Sequence, residues 1–276
     1  MLLSHQLLTV NGDTMCLILF SYAKQPGYRL ILAANRDEFY DRPTQPLAVW
    51  HDDPNIYAGR DMKGNGTWLG LSLCGRIAAL TNYRDPSAQN PQAPSRGLLV
   101  SRFLKGTTPP DSYLEEVRKT GRHYNGFNLL VGDQKGLWYY SNHNGGIEAL
   151  EPGLYGLSNH LINTDWPKIV RGKRQLTEIL TRQISWGAEE LFGLLSDRVV
   201  APDDQLPDTG VELQWERLLS PLFITSPTYG TRSSSVLLIT NAGEVTFEER
   251  TFGPNPPIGS NGSRRKIQFT IDPPCR

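Results

Sequence analysis

Short runs of apolar and β-branched residues, separated by residues that favour turns, recur along most of the chain. Four pairs of these runs are joined by short connections that contain glycine. The pairs are CLILFSY with YRLILAA, TWLGLSL with RIAALTN, FNLLVGD with LWYYSN, and SSVLLIT with EVTFEERTF, in chain order. Runs of this kind across a tight connection are typical of β-hairpins. The pattern therefore predicts four antiparallel hairpins, the first beginning near residue 16.

Helical spacing of apolar residues lies between the hairpins rather than within them. One apolar stripe predicts a helix from Pro167 to about Ser185. Its members are Ile169, Leu176, Ile179, Leu180 and Ile184. Further helices are predicted over residues 95–104, 111–120 and 186–195. Because strands and helices do not alternate strictly, the order favours antiparallel sheets with helices on their outer faces, an α+β layered sandwich.

The 276 residues are enough for one large domain with a sizeable core. The loops expected at 199–210 and 253–262 do not separate segments of different composition, and no internal repeat is present. We therefore predict a single domain over residues 15–276. Residues 1–14 form an extension that we interpret as a mis-assigned translation start or a segment that is removed.

Charge and cysteine content exclude several classes of partner and site. Lysine plus arginine (28) equals aspartate plus glutamate (28), and this neutrality argues against nucleic acid or an anionic membrane as a partner. No apolar run approaches the ~20 residues of a membrane span, and the first residues lack a basic secretory signal, which favours a cytoplasmic protein. Three widely spaced cysteines predict no disulfide framework, and neither they nor the five histidines have metal-ligand spacing.

Met15-Cys16 is the most informative dipeptide. If translation starts at Met15 and this methionine is removed, Cys16 becomes the first residue. Its α-amino group, with a reference pKa of ~7.7–8.0, could then take the thiol proton and generate the nucleophilic thiolate. The alternative is that Cys16 is a small apolar residue of a core strand.

A polar tetrad, Asn35-Arg36-Asp37-Glu38, ends the second apolar run. Such a tetrad is typical of a solvated turn. If the strand continues through it instead, Asn35 and Asp37 lie on one face and Arg36 and Glu38 on the other.

Three further polar residues lie next to short runs of the pattern. Asn82 and Asn159 follow apolar runs, a position typical of turn formers, and Arg232 precedes the SSVLLIT run. Because a half-buried guanidinium needs a partner, we expect Arg36 and Arg232 to serve a cleft and to pair with Asp37 or Glu38.

The motifs together resemble one family, the NRDE proteins, also called the transport and Golgi organisation protein 2 family. The resemblance extends from Met15 to about Ile239 and rests on motifs in family order. They are MCLILF, AANRDEF, GTWLG, ALTNYRDP, SRGLLVSRFL, GFNLLVGD, GLSNHLINTDWPK and YGTRSSSVLLI.

The resemblance implies an N-terminal nucleophile hydrolase-like fold, a four-layer αββα sandwich of two antiparallel sheets. It extends more remotely to the choloylglycine and penicillin V acylases. This similarity implies the following catalytic set: Cys16 as nucleophile, Arg36 and Asp37 as groups that orient it, Asn82 and Asn159 as oxyanion donors, and Arg232 completing the charge network. Because Arg36 and Asp37 are adjacent, unlike in the acylases, either Asp37 or Glu38 could hold the amine.

Two functions follow from the resemblance. The first is a cysteine amidohydrolase that acts on a small amide or acyl substrate and requires no cofactor or metal. The second is a non-catalytic protein of the same fold that binds and traffics haem or a lipid or acyl ligand. In neither case do we expect nucleic acid as a partner or integral membrane association.

Overall fold

The computed structural model describes residues 16–182 and 185–272. The strands in these residues are β1 Cys16–Tyr22, β2 Tyr28–Phe39, β3 Thr44–Trp50, β4 Asp53–Asp61, β5 Leu69–Ser72, β6 Ile77–Asn82, β7 Phe127–Gly132, β8 Leu137–Ser141, β9 Ile147–Ala149, β10 Gly153–Leu157, β11 Tyr229–Thr240, β12 Glu244–Thr251 and β13 Ser263–Thr270. The α-helices are α1 Gly97–Lys105, α2 Pro110–Thr120, α3 Pro167–Leu180, α4 Ala188–Leu195 and α5 Leu213–Leu219. Short 3-10 turns occupy Pro86–Ala88, Gly121–His123 and Asp203–Gln205.

The strands form two antiparallel sheets. The first has the order β10-β1-β2-β11-β12-β13, and the second runs in chain order from β3 to β9. The pairs β1–β2, β5–β6, β7–β8 and β11–β12 are neighbours in these sheets, so all four predicted hairpins are confirmed.

Alternation along the strands separates three apolar layers. On β1, Ile18 and Phe20 lie in the core between the sheets, whereas Leu17 and Leu19 pack with residues of α3 and α4. The outer face of the second sheet packs against α1 and α2. The order is therefore helix, sheet, sheet, helix, and the predicted four-layer αββα sandwich is confirmed.

Close packing of α3 on β1 brings the helical layer near the start of the chain's first strand. A Cβ atom at Gly172 of α3 would lie 2.6 Å from Leu19 Cδ1, so a larger residue there would force the buried Leu19 side chain or the helix to shift. The helix ends at Leu180, short of the predicted end near Ser185, and Ile184 of the predicted stripe lies outside the described residues.

Several elements escaped the sequence prediction, namely β3, β4, β9, β10, β13 and α5. The outermost strand β13 is mostly exposed and carries Arg264, Arg265 and Lys266, so it lacks the apolar run that marked the other strands. The predicted loop at 253–262 has neither helix nor strand, and the one at 199–210 holds only a 3-10 turn. In the described parts of the chain, no helix is long and apolar enough to cross a membrane.

Candidate active site

A cavity of about 350 Å³ opens at the end of the sandwich where β1 begins. Cys16 lies in its wall, together with Arg36 and Glu38 from β2, Trp68 from the segment before β5, and Asn82 from the end of β6. The antiparallel register sets Cys16 opposite Arg36, so the first residue of β1 lies beside the polar end of β2. Topology thus brings together groups that are distant in sequence.

Strand β2 continues through the polar tetrad to Phe39, and all four tetrad residues are buried. The interpretation of the tetrad as a solvated turn is therefore wrong, and the alternative, a continued strand with two polar faces, is confirmed. Arg36 is 6% exposed and pairs with Glu38 at 3.3 Å between Nη2 and Oε2. Its guanidinium carbon lies 4.3 Å from the centre of the Trp68 ring, a cation–π contact that holds the charge at the cavity.

Glu38 connects this pair to the cavity's rim. Its Oε2 lies 3.4 Å from Arg42 Nε, and Arg42 also binds Asp61 at 2.6 Å. Burial raises the pKa of Glu38, while Arg36 and Arg42 act in the opposite direction. On the cavity side of β2, the carboxylate partner of Arg36 is therefore Glu38, one of the two expected partners.

Asn35 and Asp37 lie on the other face of β2, towards α3 and α4. The Asn35 amide donates to the carbonyl oxygens of Leu195 at 2.9 Å and Leu222 at 2.7 Å. Asp37 Oδ1 accepts a hydrogen bond from the Thr231 hydroxyl at 2.6 Å. Asp37 Oδ2 is buried without a hydrogen-bond partner among the described residues.

The Cys16 thiol is protonated at neutral pH in this environment. Burial raises its pKa to about 12, and the negative charge of Asp37 acts in the same direction. Arg36 and a hydrogen bond from the Asp37 backbone lower it. The lowering by Arg36 is therefore outweighed by burial, and a nearby base is needed to form the thiolate.

Asn82 and Asn159 are brought together by a hydrogen bond. Asn159 is fully buried and its amide donates to the Asn82 carbonyl oxygen at 2.9 Å. The Ser158 hydroxyl lies 3.0 Å from both Asn159 Oδ1 and the Cys16 carbonyl oxygen. Asn82 therefore lines the cavity, while Asn159 ties the end of β6 to the start of β1.

Arg232 is held by the backbone of the segment that follows β2. Its Nη1 donates to the carbonyl oxygens of Phe39 at 2.7 Å and Arg42 at 3.1 Å, and its guanidinium carbon is 5.8 Å from the Tyr40 ring centre. It is absent from the described lining of the cavity. Backbone carbonyls of the segment after β2 thus replace the expected carboxylate as its hydrogen-bond acceptors.

Sequence reasoning missed Trp68 and Lys168. Lys168 is 3% exposed and interacts electrostatically with Asp37 and Cys16. Its position gave a signal, since it lies four residues before Gly172 and eight before Leu176, on the face that α3 buries. A lysine on a buried helix face is rarely accommodated without a polar role.

Cys74 is disulfide-bonded, so the expectation of a chain without disulfides is wrong there. Cys16 is a free thiol. Within residues 16–182 and 185–272, no group of three or more histidine, cysteine, aspartate or glutamate side chains is arranged to hold a metal ion.

A family model described as Transport and Golgi organisation 2 matches residues 15–254. The Transport and Golgi organization 2 homolog of Mus musculus is 40% identical over 258 residues, covering 86% of this chain and 93% of the relative. The Homo sapiens homolog is 40% identical over 257 residues with the same coverage. The Drosophila melanogaster protein is 28% identical over 264 residues, covering 86% of this chain and 92% of the relative.

Among solved structures, the chain is similar to a mutant conjugated bile acid hydrolase from Clostridium perfringens. The TM-score is 0.48 at 8% identity, covering 94% of this chain and 99% of that one. It is also similar to a Caenorhabditis elegans ortholog of N-acylethanolamine-hydrolyzing acid amidase. That TM-score is 0.38 at 11% identity, with 81% and 92% of the two chains covered.

Proposed function

The chain belongs to the Transport and Golgi organisation 2 family, and we propose that it is a cysteine amidohydrolase acting on a small amide or acyl substrate through Cys16. One observation carries the proposal. Cys16 begins the first strand and lies in the wall of a polar cavity, beside Arg36 and Asn82. A nucleophile, a cation and an amide therefore face the same space, as acyl transfer requires.

The active species in this proposal begins at Cys16. The family match starts at residue 15, which supports initiation at Met15. Removal of that methionine then frees the Cys16 amine. The freed α-amine lies near Asp37, because the antiparallel register sets Cys16 opposite Arg36, the residue before Asp37, and Asp37 interacts with Cys16. With a peptide bond at this nitrogen, the chain has no base there.

The reaction has two steps, acylation of Cys16 and hydrolysis of the resulting thioester. The neutral amine takes the Cys16 proton, and the thiolate attacks the substrate carbonyl carbon. The tetrahedral intermediate collapses as the carbon–nitrogen bond breaks, and the leaving nitrogen takes the proton from the ammonium group. The same amine then takes a proton from water as the water oxygen attacks the thioester carbon. The carbon–sulfur bond breaks, the carboxylic acid leaves, and the ammonium group returns the proton to the Cys16 thiolate.

Asn82 and Arg36 are the groups placed to stabilise the oxyanion from the cavity wall. A single oxyanion donor typically contributes ~2.7–4 kcal/mol to transition-state stabilisation. Asn159 acts on the reaction through the Asn82 backbone in this arrangement. Arg232 orders the segment after β2, where Arg42 forms the rim.

The haem or lipid carrier hypothesis draws less support from the cavity. Its wall is rich in charged groups, among them Arg36, Glu38, Arg42 and Asp61, and its described lining includes no histidine. An apolar ligand would remove water from these ion-paired groups without offering them a polar contact, at considerable cost.

The proposal is tested with short-chain acyl p-nitroanilides and the chain that begins at Cys16. We expect release of p-nitroaniline with an initial burst, and loss of release in Cys16→Ala. The full chain with residues 1–15 intact is the matched control, because its Cys16 nitrogen is an amide. Equal turnover by Cys16→Ala, or no turnover across the acyl series, would contradict the proposal.

A further inference from the structure

Lys168 is an unusual residue for its position. It is the second residue of α3 and is almost completely buried, yet its Nζ has no hydrogen-bond partner within the described part of the chain. A cation is disfavoured there twice, by burial and by the positive end of the helix dipole. Lysine is therefore a costly choice for packing alone.

A carboxylate near Lys168, that of Asp37, also has an oxygen with no hydrogen-bond partner among the described residues. This oxygen is Oδ2, and Lys168 Nζ lacks a hydrogen-bond partner among the same residues. The two groups nevertheless interact electrostatically with each other, and each also interacts with Cys16. A buried acceptor and a buried donor thus remain unsatisfied near the first residue of β1.

Positive and negative side chains are equal in number in the buried cluster that contains Lys168 and Asp37. Arg84 and Glu216 interact with Lys168 and form their own ion pair at 2.6 Å, and Arg36 and Glu38 interact with Asp37. The buried cluster thus holds three cations and three anions, namely Arg36, Arg84, Lys168, Asp37, Glu38 and Glu216. An α-ammonium at Cys16 would add an unbalanced positive charge, whereas a neutral amine would not.

We propose that Lys168 is a positioning residue that keeps the Cys16 α-amine neutral, while Asp37 Oδ2 accepts a hydrogen bond from that amine. The inference rests on the proposed function, because it assumes a free amine at Cys16. The Lys168 ammonium disfavours protonation of the amine by like-charge repulsion, and the Asp37 carboxylate orients it. The base is thereby ready to take the thiol proton at neutral pH.

Amine titration tests the inference without requiring turnover. In the chain that begins at residue 16, with Cys16→Ala so that no thiol competes, α-amine acetylation by acetic anhydride is followed by mass across pH. We expect an apparent amine pKa below the reference of ~7.7–8.0. Lys168→Met should slow acetylation about tenfold at pH values below both pKa values, and Asp37→Asn should accelerate it.

Two variants control for structural effects. Lys168→Arg should restore the wild-type titration, because it retains the charge. Lys173→Met, also on α3 but partly exposed and bound to Asn163, should leave it unchanged. If Lys168→Met does not fold, the wild-type titration decides, since an amine pKa within or above the reference range overturns the inference.

The inference and the proposed function fail differently. An unshifted amine titration in folded Lys168→Met overturns the role of Lys168, even if the chain hydrolyses amides. A shifted titration without hydrolysis of any acyl p-nitroanilide supports Lys168 and contradicts the amidohydrolase proposal.

Discussion

The two faces of β2 at its polar end differ in what they bind. On one face, Arg36 and Glu38 pair with each other and line the cavity beside Cys16. On the other face, the Asn35 amide donates hydrogen bonds to two backbone carbonyl oxygens. Asp37 there has one carboxylate oxygen with no hydrogen-bond partner among the described residues. Four consecutive polar residues therefore divide into a cavity pair and a pair that faces the helices.

This difference shows that burial alone does not identify the chemistry. Asn35 has its hydrogen bonds satisfied, since its Oδ1 also accepts from the Ser234 hydroxyl at 2.6 Å. Asp37, on the same face, has an unsatisfied oxygen and acts electrostatically on Cys16. We therefore assign Asn35 to the fold and the other three to the site, an assignment that substitutions can test.

The largest expected effect is on stability, from Asn35→Ala. This change leaves the carbonyl oxygens of Leu195 and Leu222 without their donor, in a buried site, and should lower the free energy of unfolding by about 3 kcal/mol. Urea denaturation measures the loss. The exposed Asn55→Ala is the control and should change stability by less than about 0.5 kcal/mol. An unchanged free energy of unfolding in Asn35→Ala would show that the Asn35 side chain does not stabilise the fold.

Glu249 of β12, which bonds to the second sheet, should make the stability of the fold depend on pH. It is 2% exposed and accepts a hydrogen bond from the Leu47 backbone at 2.7 Å, and burial raises its pKa to about 7. Because the folded pKa is above the unfolded value, its stabilising contribution is complete below about pH 4.5 and is lost as pH rises through 7.

Glu249→Gln should accordingly remain stable as pH rises, whereas the wild type loses about 3 kcal/mol between pH 4.5 and 8 relative to the variant. Urea midpoints at both pH values provide the measurement. Glu244→Gln, on the same strand but exposed, is the matched control. Parallel pH profiles for wild type and Glu249→Gln would contradict this prediction.

Arg36→Met is expected to act on reactivity more than on folding. The substitution keeps an apolar stem against Trp68 but removes the cation that lowers the Cys16 pKa. Alkylation of Cys16 by iodoacetamide in the full chain should slow roughly tenfold at a fixed pH below the thiol pKa. Arg60→Met, which also removes an arginine stacked on a tryptophan, should leave the rate unchanged. An unaltered rate–pH profile in folded Arg36→Met would show that the Arg36 charge does not act on the Cys16 thiol.

Asp37→Asn should have the smallest effect and the opposite sign. Its carboxylate raises the Cys16 pKa, so removing the charge should accelerate alkylation about threefold in the full chain. The same iodoacetamide assay measures the change. Slower alkylation would show that the Asp37 carboxylate stabilises the thiolate and would reverse its assigned role.

The fold was predictable where apolar periodicity is strong. The four hairpins and α3 follow from runs such as CLILFSY and from the stripe through Leu176. Strands such as β13 were missed because few of their side chains are apolar, and their strand conformation depends on pairing with β12. Edge strands of this kind are determined by tertiary contacts more than by local sequence.

The candidate site was predictable only in part. Alternation along β2 correctly divided the tetrad between two faces, but it could not show that the strand continues into buried surroundings. The partners of Arg232 are backbone carbonyls about 190 residues away, and no local pattern encodes them. Lys168 was visible as a polar residue on a buried helix face, yet its neighbour Asp37 comes from another layer.

The central claim is that Cys16 acts as a nucleophile when its own amine is free. Peptide mapping by mass after brief exposure to an acyl p-nitroanilide at neutral pH tests it most directly. We expect the acyl group on Cys16, as the thioester or, after S-to-N transfer, as the amide, in the chain that begins at this residue. The full chain should remain unmodified there. No acyl group at Cys16, or equal modification of both chains, would contradict the claim.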